Sequence, residues 1–575
     1  MKPTANPALR LKLPVGRSRF VVGGILLAFA GLCGRAFYLQ IMQDEWLQQK
    51  GASAYTRVIT LPAHRGIIAD RHGEPLAVSA PAESVFVSPG DVNMGDDERR
   101  NLAKLLGMDH QEIAKRLAVH DREFVYLKRR LPPETAAEVV RMNLSGVFLK
   151  REYNRFYPAG EVSAQLLGIS DVDDRGQEGM ELAYQNWLKG APGSRHVIRD
   201  RKGRIVEDVE KLRPPRNGRD LTLSIDSKLQ YLAYRELRAA VSKHKAKAGA
   251  IVVLDVKTGE VLALANVPTF NPNNREKLDR ERTRNRAVTD LFEPGSTLKP
   301  FTVAAALEAG SVEPETLVET GPGVLQVGNR QIHDAHPEGL LTVSQVIQKS
   351  SNVGIAKIAF GFPAEKLWGV LSGAGFGTLP GSGFPGEAGG ILWPYRSWKP
   401  IQHATISFGH GISVSLVQLA RAYTLFATGG QLQPLHLLRH DEPVAGRQVI
   451  SARTANTVRQ MMESVVSADG TAVLARVAGY RVAGKTGTAH KIENKGYSAH
   501  RYVASFVGLA PVSDPRLIVA VMIDEPGGHE YYGGQVAAPV FSEVMGAALR
   551  ALGVAPDDFL GPGLGVQAAL PKEKA

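Results

Sequence analysis

One cysteine, Cys33, in 575 residues leaves no pair for a disulfide, so packing and hydrogen bonds must hold the chain together. Acid is also in deficit: 57 Asp and Glu against 69 Lys and Arg leave a formal charge of +12. Such an excess invites a nucleic-acid partner. The chain lacks a zinc-ligand spacing, an aromatic–basic platform and a helix-turn-helix pattern, so no nucleic acid is expected. The excess instead suits a membrane-proximal protein or one that meets an anionic polymer. Long apolar runs are scarce too, and there is one.

That run reads FVVGGILLAFAGLCG over 20–34 and stays apolar through RAFYLQIM to Met42. As a helix it spans roughly 34 Å, enough for a bilayer core. Lys2, Arg10, Lys12, Arg17 and Arg19 precede it, and no acid appears before Asp44. Positive charge on that flank keeps it cytoplasmic and exports the chain beyond Met42. LQIMQDEW offers no small-residue cleavage site, and Leu32 before Cys33 is not a lipoprotein junction. The expectation is a single-pass anchor at 20–42 after a cytoplasmic tail, 1–19.

Hydrophobic content of 44% with 22% charge excludes a disordered chain, and the length implies two or three domains. A Pro- and Arg-rich stretch, KLRPPRNGRD at 211–220, divides the exported part. Residues 43–216 mix short β-like runs (ESVFVS, GVFLKRE) with helical ones (DERRNLAKLLG) and suggest an irregular platform of turns and ion pairs. Residues 217–557 read as one α+β domain. AGAIVVLDVKTGEVLALAN (248–266) and HRYVASFVGLAPVSDPRLIVAVMIDEP (500–526) are β-hairpins, with mostly helix between. Val458, Met461, Met462, Val465 and Val466 form one apolar helical stripe, expected in the core. Strands at both ends of the domain predict one antiparallel sheet flanked by helices. Residues 558–575 read as a solvated tail.

Three segments carry chemistry. In EPGSTLKPF, Ser296 and Lys299 share one face of a first helical turn. A serine hydroxyl needs a base within reach, and a buried lysine beside a second cation can be that base. S-x-x-K alone is weak, since it recurs at Ser242–Lys245 in a solvated basic stretch. In QKSSNVG, Ser350 and Asn352 stand at a polar break before a helical run, and Lys485 lies among small residues in GKTGTA. Small flanks let a substrate backbone approach a strand edge. A second K-T-G, Lys257–Gly259, falls where two apolar runs meet and reads as a turn. QIHDAHPEG clusters His333, Asp334 and His336, but a polar loop is the simpler reading. No metal and no cofactor are expected.

Ordered S-x-x-K, S-x-N and K-T-G resemble the penicillin-binding proteins and serine β-lactamases. RGIIADRHGEPLA, RFYPAGE followed by DDRGQEGME, and YYGGQVAAPVF are similar to the class B, division-specific transpeptidases. The resemblance implies that Ser296 is the nucleophile, Lys299 its base and Ser350 a proton relay. It implies that Asn352, Thr486, Gly487, Thr488 and Lys485 hold substrate, with backbone N–H groups of Ser296 and Thr488 as oxyanion hole. Peptidoglycan stem peptides and β-lactams would be the ligands, with a lipid-II polymerase and other division proteins as partners at the septum of the inner membrane. A D,D-carboxypeptidase or β-lactamase-type hydrolase and a non-catalytic division scaffold are the alternatives. One departure stands out. Where the division enzymes commonly read Y-G-Y-G, residues 408–411 read FGHG, and two readings of His410 stand: a ring that lines the substrate cleft and titrates there between about pH 5 and 7, or an exposed histidine of no consequence.

Overall fold

The N-terminal apolar run is helical in the computed structural model, which describes residues 14–43, 56–119, 122, 124–199, 205–274, 278–440, 442–493 and 496–558. Helix α1, Val15–Phe37, runs on as a wider turn to Met42, and none of its residues is buried. It starts five residues before the expected anchor and is long and apolar enough to cross a membrane. Residues 1–13 of the expected tail and 559–575 of the terminal one lie outside the described residues.

The chain forms two compact units, and their composition differs from the expected division at 216. The first takes residues 1–63, 81–153 and 191–216; the second takes 64–80, 154–190 and 217–575. In the first unit, helices Asp96–Leu106, His110–Leu117 and Pro133–Arg141 bury Leu102, Leu106, Ile113 and Val139 against Val85, Val87, Leu127 and Leu131. Glu152 there takes the Tyr126 hydroxyl at 2.8 Å and the Arg129 guanidinium at 3.0–3.1 Å.

In the second unit, segments 64–80 and 154–190 stay because they are cross-linked by buried charge. Arg65 Nε donates to Glu181 Oε2 at 2.5 Å and Arg155 Nε to Glu181 Oε1 at 2.7 Å, with all three side chains at most 2% exposed. Arg65 also reaches the Gln185 side-chain carbonyl at 2.7 Å. Ile68 pairs with both Ala77 and Leu221, stitching the early segment to the later chain. The motif-like arginines and acids of these segments are therefore structural, as the ion-pair reading supposed, but they serve the second unit.

That unit is built on a five-stranded antiparallel sheet. Helix α2, Ser227–Lys243, precedes strands β1, Ala248–Asp255, and β2, Val261–Val267. Helices α3 (Lys299–Glu308), α4 (Val343–Lys349), α5 (Asn352–Phe360), α6 (Pro400–Ser407) and α7 (Ala452–Ser464) follow. Strands β3, Ala483–Glu493, β4, Gly496–Ala510, and β5, Leu517–Asp524, then precede helix α8, Ala538–Ala551. The spatial order is β2-β1-β5-β4-β3. Every residue of β1 and β5 is buried, as central strands covered on both faces must be. Helices α2 and α8 pack together and on the sheet. The stripe Val458, Met461, Met462, Val465 and Val466 is buried as expected. β3 lies at an open edge, so one side of its backbone is not paired within the sheet.

Candidate active site

The side chains of the three motifs are set by two helix starts and one strand. EPGS turns into a short 3-10 segment, Gly295–Leu298, that runs into α3, so Ser296 and Lys299 sit one turn apart. Ser350 ends α4 in the left-handed region at φ 63°, and Asn352 opens α5 two residues later. That break brings the S-x-N side chains back toward Lys299. Its ammonium donates to the Ser350 carbonyl, to Ser350 Oγ at 3.2 Å and to Asn352 Oδ1 at 2.8 Å. From the edge strand, Lys485 Nζ donates to the same Ser350 Oγ at 2.8 Å and to Thr486 Oγ1 at 3.2 Å. Two lysines far apart in the sequence thus share one hydroxyl.

Both lysines are fully buried. Burial alone brings Lys485 down to about 7. Lys299 is held well below the ordinary lysine range, by burial first and by the Lys485 charge second, while Asp334 opposes the shift. Both causes favour the uncharged amine, the form that can accept a proton.

Asp334 was invisible as a participant in the sequence. Its carboxylate takes the backbone N–H groups of Asn352 and Val353 and the Ser351 hydroxyl, the last at 2.6 Å. It caps α5 and thereby fixes the S-S-N turn. The His333 carbonyl accepts from Asn352 Nδ2 at 2.9 Å. Residues of the QIHDAHPEG loop therefore support the S-x-N motif.

The edge strand lies hard against the turn that carries Ser296. A Cβ on Gly487 would fall 2.4 Å from Ser505 Oγ and 2.8 Å from the Pro294 carbonyl, so only glycine fits. Thr488 Oγ1 accepts the Gly533 N–H of the YYGG turn at 3.1 Å, and Thr486 Oγ1 meets Thr471 Oγ1 at 3.1 Å. The FGHG loop closes the other side: Gly295 N–H donates to the Gly409 carbonyl at 3.1 Å, where a Cβ on Gly409 would lie 2.1 Å from the Gly295 oxygen. The other K-T-G copy joins β1 to β2, and its Lys257 is exposed, 3.3 Å from Asp514.

His410 sits beside this cleft, but not as a switch between pH 5 and 7. Its ring is packed between Phe408 at 5.4 Å and Tyr497 at 5.8 Å. Burial chiefly, then the charges of Lys299 and His490, push it down to about 4. It is neutral throughout the window in which titration was expected. The ratio of acylation rates between His410→Tyr and the unaltered chain is accordingly expected to stay constant from pH 5 to 7. A sigmoidal ratio centred near pH 6 would contradict this assignment.

A serine one turn from a buried lysine of lowered pKa, a second buried lysine, and an open strand edge that can pair with an extended peptide together make the site of a serine acyl transferase. Comparison with known proteins gives the family. Residues 249–546 match the penicillin binding protein transpeptidase domain, and residues 60–223 the penicillin-binding protein dimerisation domain. The chain is 42% identical over 545 residues to the probable peptidoglycan D,D-transpeptidase PenA of Neisseria meningitidis serogroup B, covering 94% of each. It is 40% identical to the peptidoglycan D,D-transpeptidase FtsI of Escherichia coli K12, covering 94% of this chain and 92% of that one. The apo transpeptidase domain of Burkholderia pseudomallei penicillin-binding protein 3 is 51% identical, with a TM-score of 0.54, over 58% of this chain and 97% of that one. A peptidoglycan synthetase from Bifidobacterium adolescentis, 26% identical with a TM-score of 0.68, covers 87% of this chain and 97% of that structure. The chain belongs to the class B penicillin-binding proteins and is a peptidoglycan D,D-transpeptidase.

Proposed function

We propose that the chain cross-links stem peptides during septal wall synthesis, with its N-terminus cytoplasmic and its catalytic unit outside the membrane. The observation that carries the chemistry is Ser350 Oγ held by Lys299 and Lys485 at once. In this scheme neutral Lys299 takes the Ser296 proton as Oγ attacks the penultimate D-Ala carbonyl. Backbone N–H groups of Ser296 and Thr488 stabilise the oxyanion. The C–N bond then breaks, and the departing D-Ala nitrogen gains a proton passed from Lys299 through Ser350. Lys485, Thr486 and Thr488 hold the terminal carboxylate, and the substrate backbone lies along the β3 edge at Gly487. An amine from a second strand attacks the ester carbon, the ester C–O bond breaks, and Ser296 recovers its proton. A β-lactam is opened by the same attack, but its leaving nitrogen stays tethered to the acyl group.

Charge on the N-terminal flank, Arg17 and Arg19 among the described residues, supports the orientation. A lipid-II polymerase is the partner such a cross-linker needs, because the glycosyl chemistry of strand growth has no counterpart among these site residues. Labelling with a fluorescent penicillin and mapping the adduct by intact mass and peptide mass tests the reading. One stable adduct on Ser296 is expected. Rapid release of the label would favour a hydrolase, and a label elsewhere would overturn the assignment.

A further inference from the structure

Glu293 has no part in the acyl-transfer scheme, yet it lies three residues before the nucleophile and is only 7% exposed. Its Oε1 accepts the Gly411 backbone N–H at 2.7 Å and the Tyr497 hydroxyl at 3.1 Å. Its Oε2 is buried and has no hydrogen-bond partner among the described residues. Enclosing a carboxyl with half its acceptor capacity unused is unfavourable, and burial raises its pKa accordingly. The two bonds to Oε1 work against that rise. The same enclosure, followed by the nearby Glu293 charge, moves the Tyr497 phenol up.

The two donors come from different walls of the cleft. Gly411 ends the FGHG loop, whose Gly409 carbonyl already holds the Gly295 N–H. Tyr497 stands at the start of β4, opposite Ile492 on β3, in the outer part of the hairpin that carries K-T-G. Its ring, 54% exposed, leans on His410, so only the hydroxyl end is engaged inward. One carboxyl oxygen therefore joins the nucleophile turn, the FGHG loop and the K-T-G hairpin.

We propose that Glu293 is a positioning residue for acylation, a shared acceptor that fixes Ser296 against the K-T-G strand by bonding Gly411 N–H and the Tyr497 hydroxyl together. This rests on the acyl-transfer reading of Ser296. What the role requires is an acceptor oxygen, not a charge. Glutamine keeps that oxygen, and its amide nitrogen replaces an oxygen that already lacks a partner. Alanine removes both bonds, and Tyr497→Phe removes one from a largely exposed ring.

The test measures acylation of the full chain by a chromogenic β-lactam, separating the non-covalent dissociation constant from the acylation rate constant. Glu293→Ala is expected to lower the rate constant about 10-fold or more, with the dissociation constant within about 3-fold. Glu293→Gln is expected to recover to within about 3-fold of the unaltered rate, and Tyr497→Phe to fall between. If Glu293→Ala does not fold, the Gln and Phe variants decide. A Gln variant as slow as the Ala variant or slower than Tyr497→Phe, a Phe variant with an unchanged rate constant, or a loss confined to the dissociation constant would overturn the proposal. Absence of any adduct on Ser296 in the unaltered chain would instead defeat the acyl-transfer reading itself.

Discussion

Replacing Lys299 by methionine is expected to slow acylation by a β-lactam about 10³-fold or more, and Ser296→Ala to abolish the adduct. The methionine keeps most of the buried aliphatic stem, so the loss reports the amine and not a cavity. The pH profile gives the sign. Lys299 is lowered well below the ordinary lysine range by burial and by Lys485, so its neutral, proton-accepting form is gained, as pH rises, earlier than a free lysine's. Acylation should therefore climb with pH and level off well before the pH at which a free lysine titrates. Lys299→Met should lack that climb. Rapid-quench mass spectrometry of the penicilloyl adduct from pH 5 to 9 measures both. A variant that acylates at more than about a tenth of the normal rate would remove Lys299 from the role of base.

The largest stability effect is expected far from the chemistry. Glu181→Gln leaves Arg65 and Arg155, both 2% exposed, with no counter-charge on the residue that joins them. Breaking a buried charge network from one side costs about 3–5 kcal/mol, because the remaining charges stay enclosed. For a unit of this size that is a fall in Tm of roughly 3–6 °C. Lys257→Ala is the contrast: it removes one exposed ion pair with Asp514 and should cost under about 1 kcal/mol. Calorimetry of the two variants side by side measures the difference. Equal Tm values would mean that the Glu181 network contributes no net stability.

Local signals carried much of the site. Apolar runs around polar turns placed both hairpins, and three short motifs in order gathered Lys299, Ser350, Asn352 and Lys485, with Ser296 one turn away. Strand context and the upstream S-x-x-K and S-x-N motifs separated the two K-T-G copies, one an exposed turn and the other an edge strand. What escaped depends on contacts between distant residues. Asp334 reads as a loop acid until the fold sets it under the first turn of α5, 18 positions away. Glu293 reads as a polar residue before Pro-Gly, and its donors lie 118 and 204 positions downstream. His410 reads as a free ring because only packing against Phe408 and Tyr497 reveals its burial. Segments 64–80 and 154–190 lie within the platform by order, and buried Glu181 joins them to each other through Arg65 and Arg155.

The pairing of β1 with β5 has a consequence for how the protein comes into being. Residues 248–255 find their partners at 517–524, so the middle of the sheet cannot zip until residues 517–524 have been made. Until then eight consecutive strand residues, all destined for the interior, are open to solvent or to another chain. Folding dominated by such distant partners is slow and exposed to aggregation. The yield of a protein built this way should respond to the supply of holding chaperones more than to the speed of synthesis.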